Sequence, residues 1–262
     1  MLHATENIIG HVKEYLPETD STQNQLLTRI GEGTLPEGWL IHTDFQTAGR
    51  GQTESAWYSA RGQNLLFSFI LYPRFLKAEQ LWMLNQMISV TLIAVLETYI
   101  DFEQLKIKWP NDILLRERKI AGILIQNQLS GEKNEHSVIG IGINVNQKIF
   151  EPKIENKFPP TSLSLETATD FELSAILNRF CERANFFYEH LQNSSESYLE
   201  NLYLESLYKY KQMGTFQVKG QSVRGMIEAI LSDGRLVFLA DEVRTYLQPK
   251  ELQYGSVELK AS

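Results

Sequence analysis

The chain has 262 residues, of which 43% are hydrophobic and 22% charged. These ordinary values exclude a disordered, collagen-like or disulfide-scaffold protein. The net charge of −7, from 25 Lys and Arg against 32 Asp and Glu, argues against broad electrostatic capture of nucleic acid. The single cysteine, Cys181, excludes an intramolecular disulfide and any metal site with two cysteine ligands.

The start of the chain shows no targeting signal, because the first six residues lack a cationic stretch followed by an apolar one. The longest apolar stretches, at residues 90–96 and 138–145, fall short of the roughly 18 residues that a membrane span needs. Together with the solitary cysteine, which is typical of a reducing compartment, this predicts a cytoplasmic protein without a membrane partner.

The first 145 residues are predicted to contain two helices and six strands. A short helix is expected after the N-cap candidates Ser21 and Thr22. A long helix is expected over residues 78–100, whose apolar residues recur at helical spacing. Strands are predicted at residues 39–45, 64–72, 105–109, 113–115, 120–129 and 137–145. The last four are separated by short connections, which predict an antiparallel meander.

After residue 145, helices are expected at residues 171–191 and 198–208. The predicted elements change to short strands after Gly214. Four close-set strands then follow at residues 215–218, 222–230, 235–239 and 243–247. Their Gly- and Asp-bearing turns indicate a small barrel. We therefore predict a larger domain over residues 1–213, which carries the candidate chemistry, and a C-terminal barrel over residues 214–262.

Two turns after predicted strands carry candidate binding groups. The Gly-Arg-Gly turn at residues 49–51 combines exposed N–H groups with a guanidinium, which suits a phosphate or carboxylate; an ordinary surface loop is the alternative. The Lys-Trp-Pro-Asn-Asp turn at residues 108–112 presents oxygens that a magnesium-bound nucleotide could use. A plain strand end with an Asx turn is the alternative there.

Two predicted strands contain glycines. Gly122 follows the basic pair Arg118-Lys119 and suggests close approach of a ligand or another backbone, although a solvated hairpin explains the cations equally well. Gly140 and Gly142 share one strand face and leave a bare surface for a planar group, with a β-bulge as the alternative. No helix or third glycine follows, which argues against a dinucleotide-binding motif.

Neither a resident metal site nor a covalent nucleophile is predicted. The five histidines never show metal-ligand spacing, and no Gly-x-Ser-x-Gly motif occurs. Cys181 lies on the apolar face of a predicted helix and is expected in the core.

These motifs, in this order from Asp20 to Asn146, resemble those of the biotin–protein ligases, also called biotin–[acetyl-CoA-carboxylase] ligases, of the monofunctional type without a DNA-binding domain. The resemblance implies an α+β fold: a mixed, largely antiparallel sheet with helices on one side, similar to class II aminoacyl-tRNA synthetases, followed by an SH3-like barrel. It implies formation of biotinyl-5′-adenylate from biotin and ATP with Mg²⁺, then transfer of biotin to a lysine of a biotin carboxyl-carrier domain of a biotin-dependent carboxylase.

The resemblance also implies roles for individual residues. The implied catalytic residues are Arg50, Lys108, Asp112 and Lys119. The residues implied to bind biotin or the nucleotide are Ser21, Thr22, Gln23, Gln46, Gly49, Arg50, Gly51, Gln52, Trp57, Asn111, Lys119, Gly122, Gly140, Gly142 and Asn144. Within this set Trp57 is expected to stack on adenine, and Asn111 and Asn144 to serve the nucleotide and its metal. A further hypothesis is that Asp112 helps to deprotonate the acceptor lysine.

Two positions depart from the family pattern. The family commonly reads Ser-Thr-Asn where this chain has Ser21-Thr22-Gln23-Asn24, so either Gln23 or Asn24 takes the asparagine role. Gln52 stands where many members carry a second arginine, and the missing charge is expected to weaken retention of the adenylate.

Three other functions compete with this interpretation. A lipoate or octanoyl ligase also transfers an acyl group to a lysine, but its acyl pocket does not need polar groups that bind a urea. A DNA-binding regulator would need an N-terminal domain of about 60 residues, whereas 20 residues precede Ser21, so no DNA partner is expected. A catalytically inactive biotin-binding module is disfavoured by Arg50 and Lys119. The sequence leaves a homodimer open.

Overall fold

The structure is a computed structural model that describes residues 7–52, 56–131, 133–150, 157–193 and 197–255. Its main sheet contains the strands β1 (Lys13–Leu16), β2 (Leu40–Thr43), β3 (Leu65–Leu71), β4 (Leu105–Lys108), β5 (Asp112–Leu115), β6 (Arg118–Ser130) and β7 (Lys133–Ile143). Their spatial order is β1-β2-β3-β7-β6-β5-β4. β1 pairs in parallel with β2, and the other neighbouring strands pair antiparallel, so the predicted mixed sheet and its meander from β4 to β7 are confirmed.

Helices cover both faces of this sheet. Because successive residues of a strand point to opposite faces, Leu40 and Ile41 belong to different hydrophobic clusters. The Ile41 cluster contains Leu26 of α1 (Thr22–Glu32), and the Leu40 cluster contains residues of α2 (Trp82–Leu96), α4 (Leu173–Asn193) and α5 (Ser197–Ser206). Helices were expected on one side only, so α1 differs from that expectation.

Helix α2 is the central helix of the core. A 3₁₀ turn, Ala78–Gln80, precedes it, so the predicted helix over residues 78–100 is shorter and begins less regularly. By length and composition, Ala78–Leu96 is apolar enough to cross a membrane, which corrects the expectation that no stretch reaches such a length. However, 78% of it is buried inside the protein, since the sheet, α4 and α5 surround it.

Three short elements are absent from the sequence-based prediction. β1 consists of Lys-Glu-Tyr-Leu, which carries no apolar run, and β12 (Leu252–Tyr254) contains three residues. α3 (Leu163–Thr167) has five residues and begins at Ser162, whose hydroxyl accepts a hydrogen bond from the N–H of Leu165 at 3.2 Å. Elements this short have little periodicity to detect.

A second sheet follows at the C-terminal side. Its strands are β8 (Gly214–Val218), β9 (Gln221–Ile230), β10 (Leu236–Ala240), β11 (Val243–Leu247) and β12, in the order β11-β10-β9-β8-β12. β8 begins where the domain boundary was predicted, but the division into two domains stays a prediction. The indole N–H of Trp109 donates to the Gly234 carbonyl at 3.0 Å and ties this sheet to the larger part.

Candidate active site

The floor of the main cavity is built from glycines on the sheet face that α1 covers. In β7, Ile139 and Ile141 point into the core, whereas Gly140 and Gly142 present bare backbone to the cavity. The register pairs Gly142 with Gly122 of β6, which extends this surface across two strands. The shared face that the glycine spacing predicts is therefore confirmed.

The indole of Trp57 lies on this floor. A Cβ atom on Gly142 would be 2.5 Å from Cε2 of Trp57, and one on Gly122 would be 2.9 Å from Cζ3. Neither position can carry a side chain while the indole stays there. The bare surface thus accommodates a planar group, which in this structure is the indole itself. The Nε1 of Trp57 is buried without a hydrogen-bond partner.

One end of the cavity presents neutral hydrogen-bonding groups. Oε1 of Gln46 accepts from the backbone N–H of Thr22 at 2.8 Å and from its hydroxyl at 3.1 Å, and that hydroxyl lies 2.7 Å from the Ser68 hydroxyl. Gln23 donates to two backbone carbonyls of β6 and β7 at 3.3 and 3.4 Å. Ser21 lines the same end and is 2% exposed. These groups can accept and donate without adding charge.

Gln23, not Asn24, faces the cavity. The amide oxygen of Asn24 accepts from Nη1 of Arg50 at 3.0 Å, and its nitrogen donates to Asp20 at 2.7 Å. Hydrogen bonds, of which that from Asn24 is the strongest, lower the pKa of Asp20 to about 2. Asn24 therefore positions Arg50 from outside the cavity, and of the two candidates for the family asparagine only Gln23 lines the cavity.

The loop after β2 lines the cavity through Arg50, Gly51 and Gln52. Gly49 does not line it. A Cβ atom on Gly49 would lie 2.4 Å from the backbone oxygen of Trp57, whose N–H donates to the Gly49 carbonyl at 2.9 Å. Gly49, which was predicted to bind the ligand, instead lies against the backbone of Trp57 and permits the close approach that sets the position of Trp57.

Asp112 lies between two lysines in the wall of the cavity. Its Oδ1 accepts from Lys119 at 2.6 Å and its Oδ2 from Lys108 at 2.5 Å. Burial would raise the pKa of Asp112, but the two ammonium groups outweigh burial and hold the pKa below its ordinary 3.8. A carboxylate whose pKa is lowered and whose two oxygens are both engaged accepts protons poorly near neutral pH. The geometry favours a positioning role over the proton-accepting role of the sequence hypothesis.

The other end of the cavity is cationic. The ring centre of Phe158 lies 5.5 Å from Nζ of Lys108, 5.6 Å from Nζ of Lys157 and 5.7 Å from the ring of Tyr254. Asp112 is the single carboxylate among the described lining residues. The lining cations are Arg50, Lys108, Lys119, Lys157 and Lys250. An acidic protein thus concentrates positive charge at one site, which suits an anionic ligand.

Two asparagines complete the wall. The Asn111 amide donates to the Ile123 carbonyl at 2.7 Å, and that of Asn144 donates to the Lys119 carbonyl at 3.4 Å. Oδ1 of Asn144 is buried and has no hydrogen-bond partner. The described residues contain no group of three or more His, Cys, Asp or Glu that could hold a metal ion. Most of the oxygen ligands of a metal ion here would therefore come from a bound ligand or from water rather than from the described residues.

The cavity measures about 760 Å³ and brings together every predicted site residue except Gly49. Several residues of its wall were not predicted from the sequence; they come from β3 and the loop before it, from the β7–α3 connection, and from the C-terminal sheet with the turn before β12. Among them are Tyr58, Ser68, Lys157, Phe158, Lys250, Gln253 and Tyr254. No local motif marks these residues, because long-range folding brings them to the site.

Residues 15–144 match the family model described as the Biotin/lipoate A/B protein ligase family. The bifunctional ligase/repressor BirA of Bacillus subtilis (strain 168) is 33% identical over 172 residues, which are 66% of this chain and 50% of that protein. The biotin–[acetyl-CoA-carboxylase] ligase of Paracoccus denitrificans is 25% identical over 250 residues, 92% of this chain and 99% of that protein. The chain spans about half the length of the first curated relatives that it matches.

The fold has a counterpart among solved structures. The biotin protein ligase from Aquifex aeolicus in complex with biotin and ATP superimposes with a TM-score of 0.74 at 25% identity, covering 94% of this chain and 100% of that one.

Proposed function

We propose that this chain is a biotin–protein ligase, because its residues 15–144 match the model of the Biotin/lipoate A/B protein ligase family. The reaction joins biotin to the AMP part of ATP with release of pyrophosphate. Biotin then passes to a lysine of a biotin carboxyl-carrier domain of a biotin-dependent carboxylase. The observation that carries the proposal is a single cavity with a neutral hydrogen-bonding end, a glycine floor and a cationic end.

Contacts between wall residues define the order of the three parts of the cavity, from the neutral end across the glycine floor to the cationic end. A Cβ atom on Gly140 would be 3.2 Å from Oε1 of Gln23, so the neutral end borders the glycine floor. The indole on that floor lies 5.2 Å from Nζ of Lys119. Lys119 is joined through Asp112 to Lys108, which borders the cationic end. A long ligand with a neutral head and an anionic tail fits this order.

The neutral end suits the ureido ring of biotin. Thr22, Gln23, Gln46 and Ser68 supply hydroxyl and amide groups that match the two N–H donors and the carbonyl acceptor of a cyclic urea. With the ring held there, the side chain of biotin extends along the Trp57 indole that covers Gly122 and Gly142, and its carboxylate reaches Lys119.

The cations promote the first step. The carboxylate of biotin must attack the α-phosphorus of ATP, which brings two anions together. Lys119 and Arg50 reduce this repulsion and stabilise the charge that develops in the transition state. Hydrogen bonds to charged groups contribute about 1.5–3 kcal/mol each, so two such cations account for several orders of magnitude in rate. This chemistry needs no covalent enzyme intermediate, which agrees with the absence of a nucleophile motif.

The nucleotide is held by other parts of the same wall. Adenine stacks on Trp57, as the family resemblance implies. The site could take magnesium that arrives with the nucleotide, and the ion would then neutralise phosphate charge. The unpaired Oδ1 of Asn144 is the protein oxygen suited to it.

Asp112 acts by positioning in both steps. Its two ion pairs hold Lys119 and Lys108 beside the carboxylate of biotin that reacts. Because the pKa of Asp112 is lowered, the proton lost by the acceptor lysine passes to solvent or to the leaving phosphate in this account.

The C-terminal sheet is proposed to be the SH3-like barrel that the resemblance implies. β9 pairs with β8 up to Gly225 and with β10 from Met226 onward, as a strand shared between two small sheets would. A cytoplasmic location, a homodimer and the absence of a DNA or membrane partner stay predictions.

Biotin-dependent release of pyrophosphate from ATP tests the proposal. We expect release with biotin and none with lipoate, because lipoate lacks the urea that the neutral end binds. Release with lipoate and not with biotin would show that the chain is a lipoate-type ligase.

A further inference from the structure

Two buried donors at the cationic end of the cavity have no hydrogen-bond acceptor. They are Nζ of Lys157 and the hydroxyl of Tyr254, a residue that is 8% exposed. Buried polar groups in folded proteins are almost always paired, and an ammonium buried without an anion is costly. Burial lowers the pKa of Lys157 and nearby Lys209 lowers it further, while Glu117 opposes them in part. Each of these donors therefore lacks a hydrogen-bond acceptor, and a bound ligand can supply one.

The two donors flank the same aromatic ring and are held in place relative to the reaction centre. Phe158 lies 5.6 Å from Nζ of Lys157 and 5.7 Å from the ring of Tyr254. The segment that follows Phe158 is clamped to Lys119: the Lys119 N–H donates to the Pro159 carbonyl, and the Thr161 N–H donates to the Lys119 carbonyl, each at 2.9 Å.

The C-terminal sheet fixes the second donor. Tyr254 pairs with Phe216 in the β8–β12 ladder, and its ring also lies 5.2 Å from that of Tyr208. The cationic end is thus completed by residues almost 100 positions apart in the chain, neither of which belongs to a motif found in the sequence.

We propose that Lys157 and Tyr254 bind the diphosphate that leaves when biotin is adenylated. The inference rests on the proposed function. In that step a carboxylate oxygen of biotin forms a bond to the α-phosphorus, and the bond from the α-phosphorus to the bridging oxygen of the β-phosphate breaks. The electron pair stays on that oxygen and leaves with pyrophosphate, so negative charge grows at the leaving group.

The chemistry of the two groups selects this ligand over the others in the reaction. Both are donors, and Lys157 repels the acceptor lysine, which is itself a cation before it loses its proton. The ureido ring is neutral and belongs to the opposite end of the cavity. Diphosphate offers several anionic oxygens, and the four rotatable bonds of Lys157 let its Nζ turn toward them.

Inhibition by inorganic pyrophosphate tests the assignment in the full chain. The variants are Lys157→Met and Tyr254→Phe, which remove one donor each and nearly preserve shape. Tyr203→Phe is the matched control for the tyrosine, because its buried hydroxyl also has no partner but lies outside the cavity wall. Lys13→Met controls for loss of a lysine, because Lys13 lies in β1 at the opposite edge of the main sheet and does not line the cavity. Thermal unfolding confirms that all four variants are folded.

Loss of one donor to an anionic oxygen is expected to raise the inhibition constant of pyrophosphate about tenfold in each site variant and to leave it unchanged in the controls. Transfer of biotin from preformed biotinyl-5′-adenylate to a carrier domain should keep its wild-type rate, because pyrophosphate takes no part in it. An increase of at least threefold in both site variants with unchanged transfer supports the assignment. With an active wild type, any other result overturns it. A wild type that forms no adenylate contradicts the proposed function, and the diphosphate site with it.

Discussion

Replacing Asp112 with asparagine separates a positioning role from a proton-accepting one. The side chain of Asp112 is 12% exposed and bridges two ammonium groups at 2.5 and 2.6 Å. Asparagine keeps the shape but removes the charge, and its N–H₂ group faces one of the two lysines. Removing one partner of a fully buried ion pair costs about 3–5 kcal/mol. Because Lys108 and Lys119 are 22% and 32% exposed, we expect about 1–3 kcal/mol of lost unfolding free energy.

The two half-reactions give the decisive measurement. With both lysines displaced, adenylate formation should lose about 10–100-fold in kcat/KM. Transfer from preformed adenylate should fall by a similar factor, since the same lysines contact the acyl phosphate. A variant that forms adenylate at the wild-type rate and fails only in transfer would refute the positioning role and restore Asp112 as the proton acceptor.

Glu166 supplies a matched control. Its carboxylate is 8% exposed and also bridges two cations, Arg116 and Arg118, but it does not line the cavity. Glu166→Gln should therefore lower stability by a comparable amount and leave both half-reactions within about twofold of wild type. Equal losses of activity in both variants would mean that the effect of Asp112→Asn is a general loss of stability.

Three further predictions follow from the same structure. Gly142→Ala places a Cβ atom 2.5 Å from the indole of Trp57, and overpacking of about 1–3 kcal/mol should raise the KM for ATP about tenfold; an unchanged KM would mean that the indole plays no part in nucleotide binding. Gly31→Ala in α1 meets nothing within 4 Å and should raise the unfolding free energy by about 0.5–1 kcal/mol without changing activity, as urea titration would show. Asp20 has a folded-state pKa of about 2 against 3.8 in the unfolded chain. Its contribution to the free energy of unfolding is therefore complete above pH 3.8 and is lost as the pH falls toward 2. Asp20→Asn should therefore cost about 1 kcal/mol at pH 7 and little at pH 2, and a cost independent of pH would contradict this.

The glycine floor could be predicted because a strand has a period of two. In the segment Gly140-Ile141-Gly142-Ile143, alternation alone puts the isoleucines in the core and the glycines on the opposite face. The meander that aligns Gly122 with Gly142 followed from connections too short for a parallel crossover. Local pattern was sufficient for these features.

The sequence could not predict which groups meet at the cationic end. Lys157, Phe158 and Tyr254 come together through the clamp to Lys119 and through β12, a three-residue strand. Neither feature has a local sequence signal. The side of the sheet that α1 covers was also missed, because amphipathic helices of either side look alike in sequence and only the contact of Leu26 with its cluster decides the face.

The two ion pairs of Asp112 could not be predicted for a related reason. A turn that ends in Asn-Asp is compatible with a base, a metal ligand or an ion pair. Only the register of β4, β5 and β6 shows that Lys108 and Lys119 flank the carboxylate from two different strands. Function at this position depends on pairings across the sheet rather than on neighbours in the chain.

The mass of a biotin carboxyl-carrier domain, measured after incubation with the protein, biotin and ATP, tests the central claim most directly. We expect a single biotinyl addition on one lysine that requires both biotin and ATP and is greatly reduced by Lys119→Met. An unmodified carrier, or a carrier modified with lipoate and ATP but not with biotin and ATP, would contradict it.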